Sequence, residues 1–139
     1  MIKKFFSFLG LAALMVLMSG VLSAAAPMPV TTFTLVQGLP AVMNVGDTFT
    51  VIVHVDSDQK FLSASALPDT YYPGRGVVAT QGGARTGRST TATLAVTFVA
   101  KGATSKMANG VAPVSVVVGV RYAGGYVAVQ RYDFLVQVP

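Results

Sequence analysis

The feature that most constrains this chain is strict two-residue alternation of apolar and polar side chains. From Thr48 to Asp56, Phe49, Val51, Val53 and Val55 fall on one side, and Thr50, Ile52 and His54 on the other. Thr91 to Ala100 repeats the pattern, with Ala92, Leu94, Val96 and Phe98 opposed to Thr91, Thr93 and Thr97. Val114, Val116, Val118, Val120 and Tyr122 carry it a third time. Successive side chains of a strand point to opposite faces, whereas a helix needs an apolar period of about 3.6 residues. No such period exists beyond the first 25 residues. An all-β, antiparallel fold follows.

The remaining segments fill in the strand count. Thr31–Gln37 is a β-rich run closed by Gly38 and Pro40, and Asn44–Asp47 is a turn signal. Lys60–Ala66 reads as a weaker strand and Gly76–Gln81 as a short one. Gly82–Arg88 reads as a flexible basic connection, and Lys101–Gly110 as a loop. Ala123-Gly124-Gly125 closes a hairpin whose return runs from Tyr126 to Val138. In that return Val127 and Val129 alternate in one phase, and Phe134, Val136 and Val138 in the other. A bulge near Gln130–Tyr132 is predicted to reconcile them. About seven short strands with turn signals roughly every 8–12 residues predict a two-sheet sandwich.

The composition is explained at the N-terminus. The chain is 139 residues long, one domain's worth, with 53% hydrophobic and only 11% charged residues. The apolar excess gathers where Lys3-Lys4 precedes the run Phe5 to Met18, followed by the small residues Ser23 and Ala25. Those are the three regions of a secretory signal peptide, with cleavage expected after Ala25, because a cut after Ala26 would place Pro27 directly beyond the scissile bond. The alternative is a retained anchor, since Phe5–Leu22 just reaches the roughly 18 residues a bilayer demands. Residues 1–25 are therefore expected to be a signal peptide, 26–30 an extended leader and 31–139 the sandwich. Export to the periplasm, cell surface or medium is expected, with membrane contact only through the signal segment before cleavage. The 114 residues left carry eight basic and five acidic side chains, a net charge of +3.

Catalytic vocabulary is sparse. There is no Cys, Trp or Glu; the acids are Asp47, Asp56, Asp58, Asp69 and Asp133, and the one histidine is His54. Thiol nucleophiles, disulfides, Cys-based metal sites and paired-Glu chemistry are excluded. His54 shares a strand face with Thr50 and Ile52, a surface position, and no G-x-S-x-G motif stands in the chain. No enzymatic activity is expected. Asp56-Ser57-Asp58-Gln59 has the Asp-x-Asp spacing that opens some calcium sites, with Asp47 or Asp69 as further ligands. Calcium takes roughly six or more oxygens, so a polar turn is the expectation and no metal or cofactor is assigned. The Gly-Gly turns at Gly82 and Gly124 lack the helix a phosphate cradle needs. Lys60, Arg75, Arg85, Arg88, Lys101, Lys106, Arg121 and Arg131 are scattered, which argues against a nucleic-acid partner.

The segment Leu67–Gly76 carries the one recognition signal. Tyr71 and Tyr72 supply flat, rigid contact area and Arg75 supplies directed donors, suited to a glycan or protein partner. The competing reading makes one of the rings a plug at the end of the sandwich.

Val45-Gly46-Asp47-Thr48-Phe49-Thr50-Val51-Ile52-Val53 resembles the "V-G-D" entry into the second strand of bacterial immunoglobulin-like surface and adhesion domains. Thr91–Phe98 and Ala112–Tyr122 resemble their E and F strands, so the similarity spans about Thr31 to Val138. The resemblance implies an immunoglobulin-like sandwich acting as a non-enzymatic structural or binding module of the cell surface or periplasm. Carbohydrate binding through Tyr71, Tyr72 and Arg75 is one alternative. The chain is also similar to protease inhibitors of the chagasin type, with Gln81-Gly82-Gly83-Ala84 a counterpart of their second loop. Ser57–Lys60 stands where those inhibitors have Asn-Pro-Thr-Thr-Gly, and Tyr122–Gly125 where they have an Arg-Pro-aromatic motif.

Overall fold

The computed structural model describes residues 27–69 and 76–139, so the expected cleavage after Ala25 and the recognition residues Tyr71, Tyr72 and Arg75 lie outside the described residues. Six strands form the fold: β1 (Thr31–Gln37), β2 (Thr48–Pro68), β3 (Val77–Gln81), β4 (Gly83–Ala100), β5 (Ala112–Arg121) and β6 (Val127–Val136). A single 3₁₀ turn, Ala108–Gly110, is the one helical element among the described residues. Every strand pairing is antiparallel, in the order β3-β4-β2-β5-β6 with β1 on β2. The all-β expectation holds.

The long strands organise the molecule. β4 runs along β2 from Thr48↔Val99 to Ala66↔Gly83, while the other edge of β2 is shared between β1 at positions 52–57 and β5 at positions 63–68. The ladder is irregular between Asp56 and Ser63. At its far end a Cβ built on Gly83 would lie 2.6 Å from the carbonyl oxygen of Ala95. Those two residues belong to one strand and would be roughly 40 Å apart if it were straight. The ladder therefore folds back on itself at the irregular stretch, and its two halves enclose one core.

That core is the alternation read from the sequence. Val51, Val53 and Val55 of β2, Ala92, Leu94, Val96 and Phe98 of β4, and Val114, Val116, Val118 and Val120 of β5 are all buried in one cluster, with Phe61 and Tyr122 beside them. Phe49, expected fully inside, is half-buried at the rim. His54 faces outward, where Nδ1 lies 3.0 Å from Thr93 Oγ1 and Nε2 3.2 Å from Asp56. Val53→Ala is expected to cost about 1–3 kcal/mol, from lost transfer energy and an unfilled cavity, and His54→Ala within about 0.5 kcal/mol. Urea melts of the two variants check the phase of the strand.

Three expectations are corrected. The segments Thr48–Asp56 and Lys60–Ala66 are one strand rather than two joined by a polar turn, because β4 pairs along both and the extra residues are absorbed as bulges. Gly82–Arg88 is not a flexible connection: from Gly83 on it is strand, paired to Ser63–Ala66. There is no bulge in the returning hairpin strand, since β5 and β6 stay in register from Arg121↔Val127 to Ala112↔Val136. Even-numbered Ala128, Tyr132, Phe134 and Val136 face the core, and Val127, Val129 and Leu135 are exposed. The apparent change of phase was apolar side chains on the solvent face.

Candidate functional site

The two residues that flank 70–75 are both anchored at the end of the molecule where β5 begins. Asp69 N–H donates to the Ser115 carbonyl at 2.8 Å. The Asp69 carboxylate meets the Arg131 guanidinium, which also bonds Asp133 and the Ser115 hydroxyl. The two carboxylates raise the Arg131 pKa, Asp133 contributing most and Asp69 next. Asp133 is held below the ordinary carboxylate range, first by the Ser115 hydroxyl and then by Arg131. On the other flank the Gly76 carbonyl accepts from the N–H groups of Lys101 (2.7 Å) and Gly102 (3.3 Å). Gly76 sits at φ +81°, and a Cβ there would lie 3.0 Å from the Thr104 methyl and 3.6 Å from Met107 Sδ. Only glycine suits that conformation and that approach.

A surface recess of about 390 Å³ opens beside these anchors, lined by Lys106, Met107, Asn109, Val111, Pro113 and Leu135. The wall that carries Lys106, Met107 and Asn109 is tied down by Thr104, which is fully buried. The Thr104 hydroxyl donates to the Gly110 carbonyl at 2.6 Å and accepts from Val138 N–H at 3.0 Å, while Thr104 N–H donates to the Val138 carbonyl at 2.9 Å. The segment Lys101–Gly110 is thus a loop, as expected, clasped to the end of the chain. Leu135, 65% exposed, and the flexible thioether of Met107 give the recess an apolar lining, with the Lys106 ammonium and Asn109 amide as polar groups. Such a lining takes an apolar or amphipathic ligand group.

At the opposite end the aromatic residues are structural. Tyr122 packs edge-on to Phe61 at 6.4 Å and against Tyr126 at 5.8 Å. Its hydroxyl is bonded to Thr31 Oγ1 (2.6 Å) and donates to Ser57 Oγ (2.7 Å). The leader is tied down there: Val30 N–H donates to Asp58 at 2.8 Å, and Gln59 Nε2 to the Pro27 carbonyl at 2.6 Å. Asp56 turns to His54 and Asp58 to Val30, so the Asp-x-Asp carboxylates diverge. Among the described residues no three His or Asp side chains gather as metal ligands.

Two of the three segments compared with chagasin-type loops meet at one end of the molecule. Ser57–Lys60 and Tyr122–Ala123 share this second end, where Gln59, Lys60, Tyr122 and Ala123 line one recess. Gly83 pairs with Ala66 and stands against Ala95, the partner of Ile52, where the folded ladder brings its two halves together.

The sequence reading missed the recess. One local signal pointed to it: Phe134-Leu135-Val136 is an uninterrupted apolar triplet in an alternating strand, and the odd member had to face out. No protein-family model matches the chain, and no curated protein matches it.

Proposed function

We propose that this chain is an exported immunoglobulin-like sandwich that serves as a binding module at the cell surface or in the periplasm, with its ligand surface at the end carrying Asp69, Gly76 and the Lys106–Leu135 recess. The observation that carries the reading is the apolar recess set directly beside the two anchored flanks of 70–75. The order of pairing supports the immunoglobulin-like part. β1, the first half of β2, the second half of β4 and β3 correspond to an A-B-E-D sheet, and the second half of β2 with β5 and β6 to C-F-G.

A non-enzymatic role is supported by how the titratable side chains are used. Asp47 accepts from Asn44 N–H, Asp56 from His54, Asp58 from Val30 N–H, and Asp69 and Asp133 hold Arg131. All five acids and the one histidine are thereby engaged in fixing turns and strands.

Tyr71, Tyr72 and Arg75 stand in the sequence between these two flanks, and a glycan is the ligand class that aromatic rings and a guanidinium suit. Replacing both tyrosines by Ala is expected to lower retention on a panel of immobilised oligosaccharides at least tenfold, while the melting temperature stays within a few degrees. A loss of about 3 kcal/mol or more with unchanged retention would identify the rings as plugs and overturn the reading.

A further inference from the structure

We propose that β6 is a self-recognition edge and pairs antiparallel with β6 of a second copy of this chain, about a twofold axis at Tyr132. An edge strand exposes a row of unpaired N–H and C=O groups, and folded proteins guard such rows with bulges, short length, charge or proline. The other edges here carry guards: β1 has a register break between Leu35 and Gln37, β3 is five residues long with its own break, and the first part of β4 carries Arg85, Arg88 and Gly87. β6 is ten residues long, in unbroken register, and lacks proline.

The direction of its free groups is fixed by its neighbours. Gln137 donates to the Ala41 carbonyl and accepts from Met43 N–H, both on the side away from β5, whereas the Tyr126 carbonyl accepts from Tyr122 N–H on the β5 side. Peptide groups alternate along a strand, so Val127, Val129, Arg131, Asp133 and Leu135 aim theirs at the free edge. The Ala41–Met43 segment ends the free stretch beyond Leu135. On the outer face Val127 and Val129 are 48% and 60% exposed, a hydrophobic margin for a strand with no partner on that side among the described residues. Arg131 and Asp133, the charges that would guard the edge, are drawn back across β5 to Asp69 and Ser115.

The second copy is chosen by complementarity. With the axis at Tyr132 the seam runs over residues 129–135: Arg131 lies opposite Asp133 of the second copy and Val129 opposite its Leu135, while Val127 falls opposite Gln137, whose outer edge Ala41–Met43 holds, and stays outside the seam. Both pairings recur by symmetry, and the four charges alternate in sign across the seam. Moving the axis to residue 131 or 133 opposes like charges, and moving it to 130 sets each charge against a valine. Tyr132, whose pKa burial already raises, then meets its own symmetry mate on the inner face.

The absence of cysteine makes the register directly testable. Sedimentation of the protein purified as its cells process it is expected to show a concentration-dependent monomer–dimer equilibrium. Val129→Pro removes only an outward N–H and is expected to weaken the dimer at least tenfold with the fold retained. Val129→Lys provides the same test by charge, should proline disturb the strand. Under mild oxidation Tyr132→Cys is expected to form a disulfide-linked dimer, since non-hydrogen-bonded antiparallel partners lie within disulfide reach, and Gln130→Cys is not. A protein that stays monomeric up to about 1 mM, or a dimer indifferent to both Val129 variants, would overturn the proposal. Cross-linking through Gln130→Cys in place of Tyr132→Cys would overturn the register.

Discussion

Phe61→Ala is expected to cost about 3–5 kcal/mol, the range for emptying a fully buried aromatic site. Phe61 has no exposed surface, and its ring meets the Tyr122 ring at 88° across 6.4 Å. It is the large side chain set where the β2–β4 ladder is irregular, paired to Ser89 between two register shifts. Removing it takes away buried area, the edge-on aromatic contact, and the packing that backs the Tyr122 hydroxyl on Ser57 and Thr31. Domains of this size are stable by about 5–15 kcal/mol, so the variant should lose a large share of its stability. The adjacent Leu62, 40% exposed, sets the comparison: Leu62→Ala should stay within about 1 kcal/mol. Chemical melts of the two variants measure the difference.

Gly83→Ala is expected to cost about 1–3 kcal/mol although it adds a single methyl group. The new Cβ would stand 2.6 Å from the Ala95 carbonyl oxygen and 2.8 Å from its nitrogen. Both are backbone atoms inside a paired strand, so neither can yield without loosening the β2–β4 or β3–β4 ladder. Gly102 provides the control, because a Cβ there meets nothing within 4 Å. Thermal melts should place Gly102→Ala near the parent protein and Gly83→Ala clearly below it.

The strands that were legible in the sequence are those whose inward faces are uniformly apolar. Val51, Val53 and Val55, then Leu94, Val96 and Phe98, then Val114 to Val120 each declare a buried face locally, and burial follows it residue by residue. What was not legible depends on partners remote in sequence. Gly83–Arg88 has the composition of a loop and becomes strand because Ser63–Ala66 lies alongside to accept its hydrogen bonds, a case of pairing overriding propensity. Asp56–Gln59 looks like a turn and is instead a bend within β2, held by Asp58 on Val30 and Ser57 on Tyr122. The candidate site divides in the same way. Its tyrosines were visible as residue types, while the recess is assembled from Met107, Pro113 and Leu135 on three separated segments, of which the Leu135 triplet alone left a local trace.

The folded-over ladder underlies both the single core and the placing of the recess, and one proton NMR measurement tests it directly. A nuclear Overhauser contact between the Gly83 α-protons and the Ala95 amide is expected, two groups in one strand that a straight β4 would hold roughly 40 Å apart. Finding Gly83 in contact with Ala66 across the β2–β4 ladder but not with Ala95 would mean that the ladder runs on without folding, and would contradict the account.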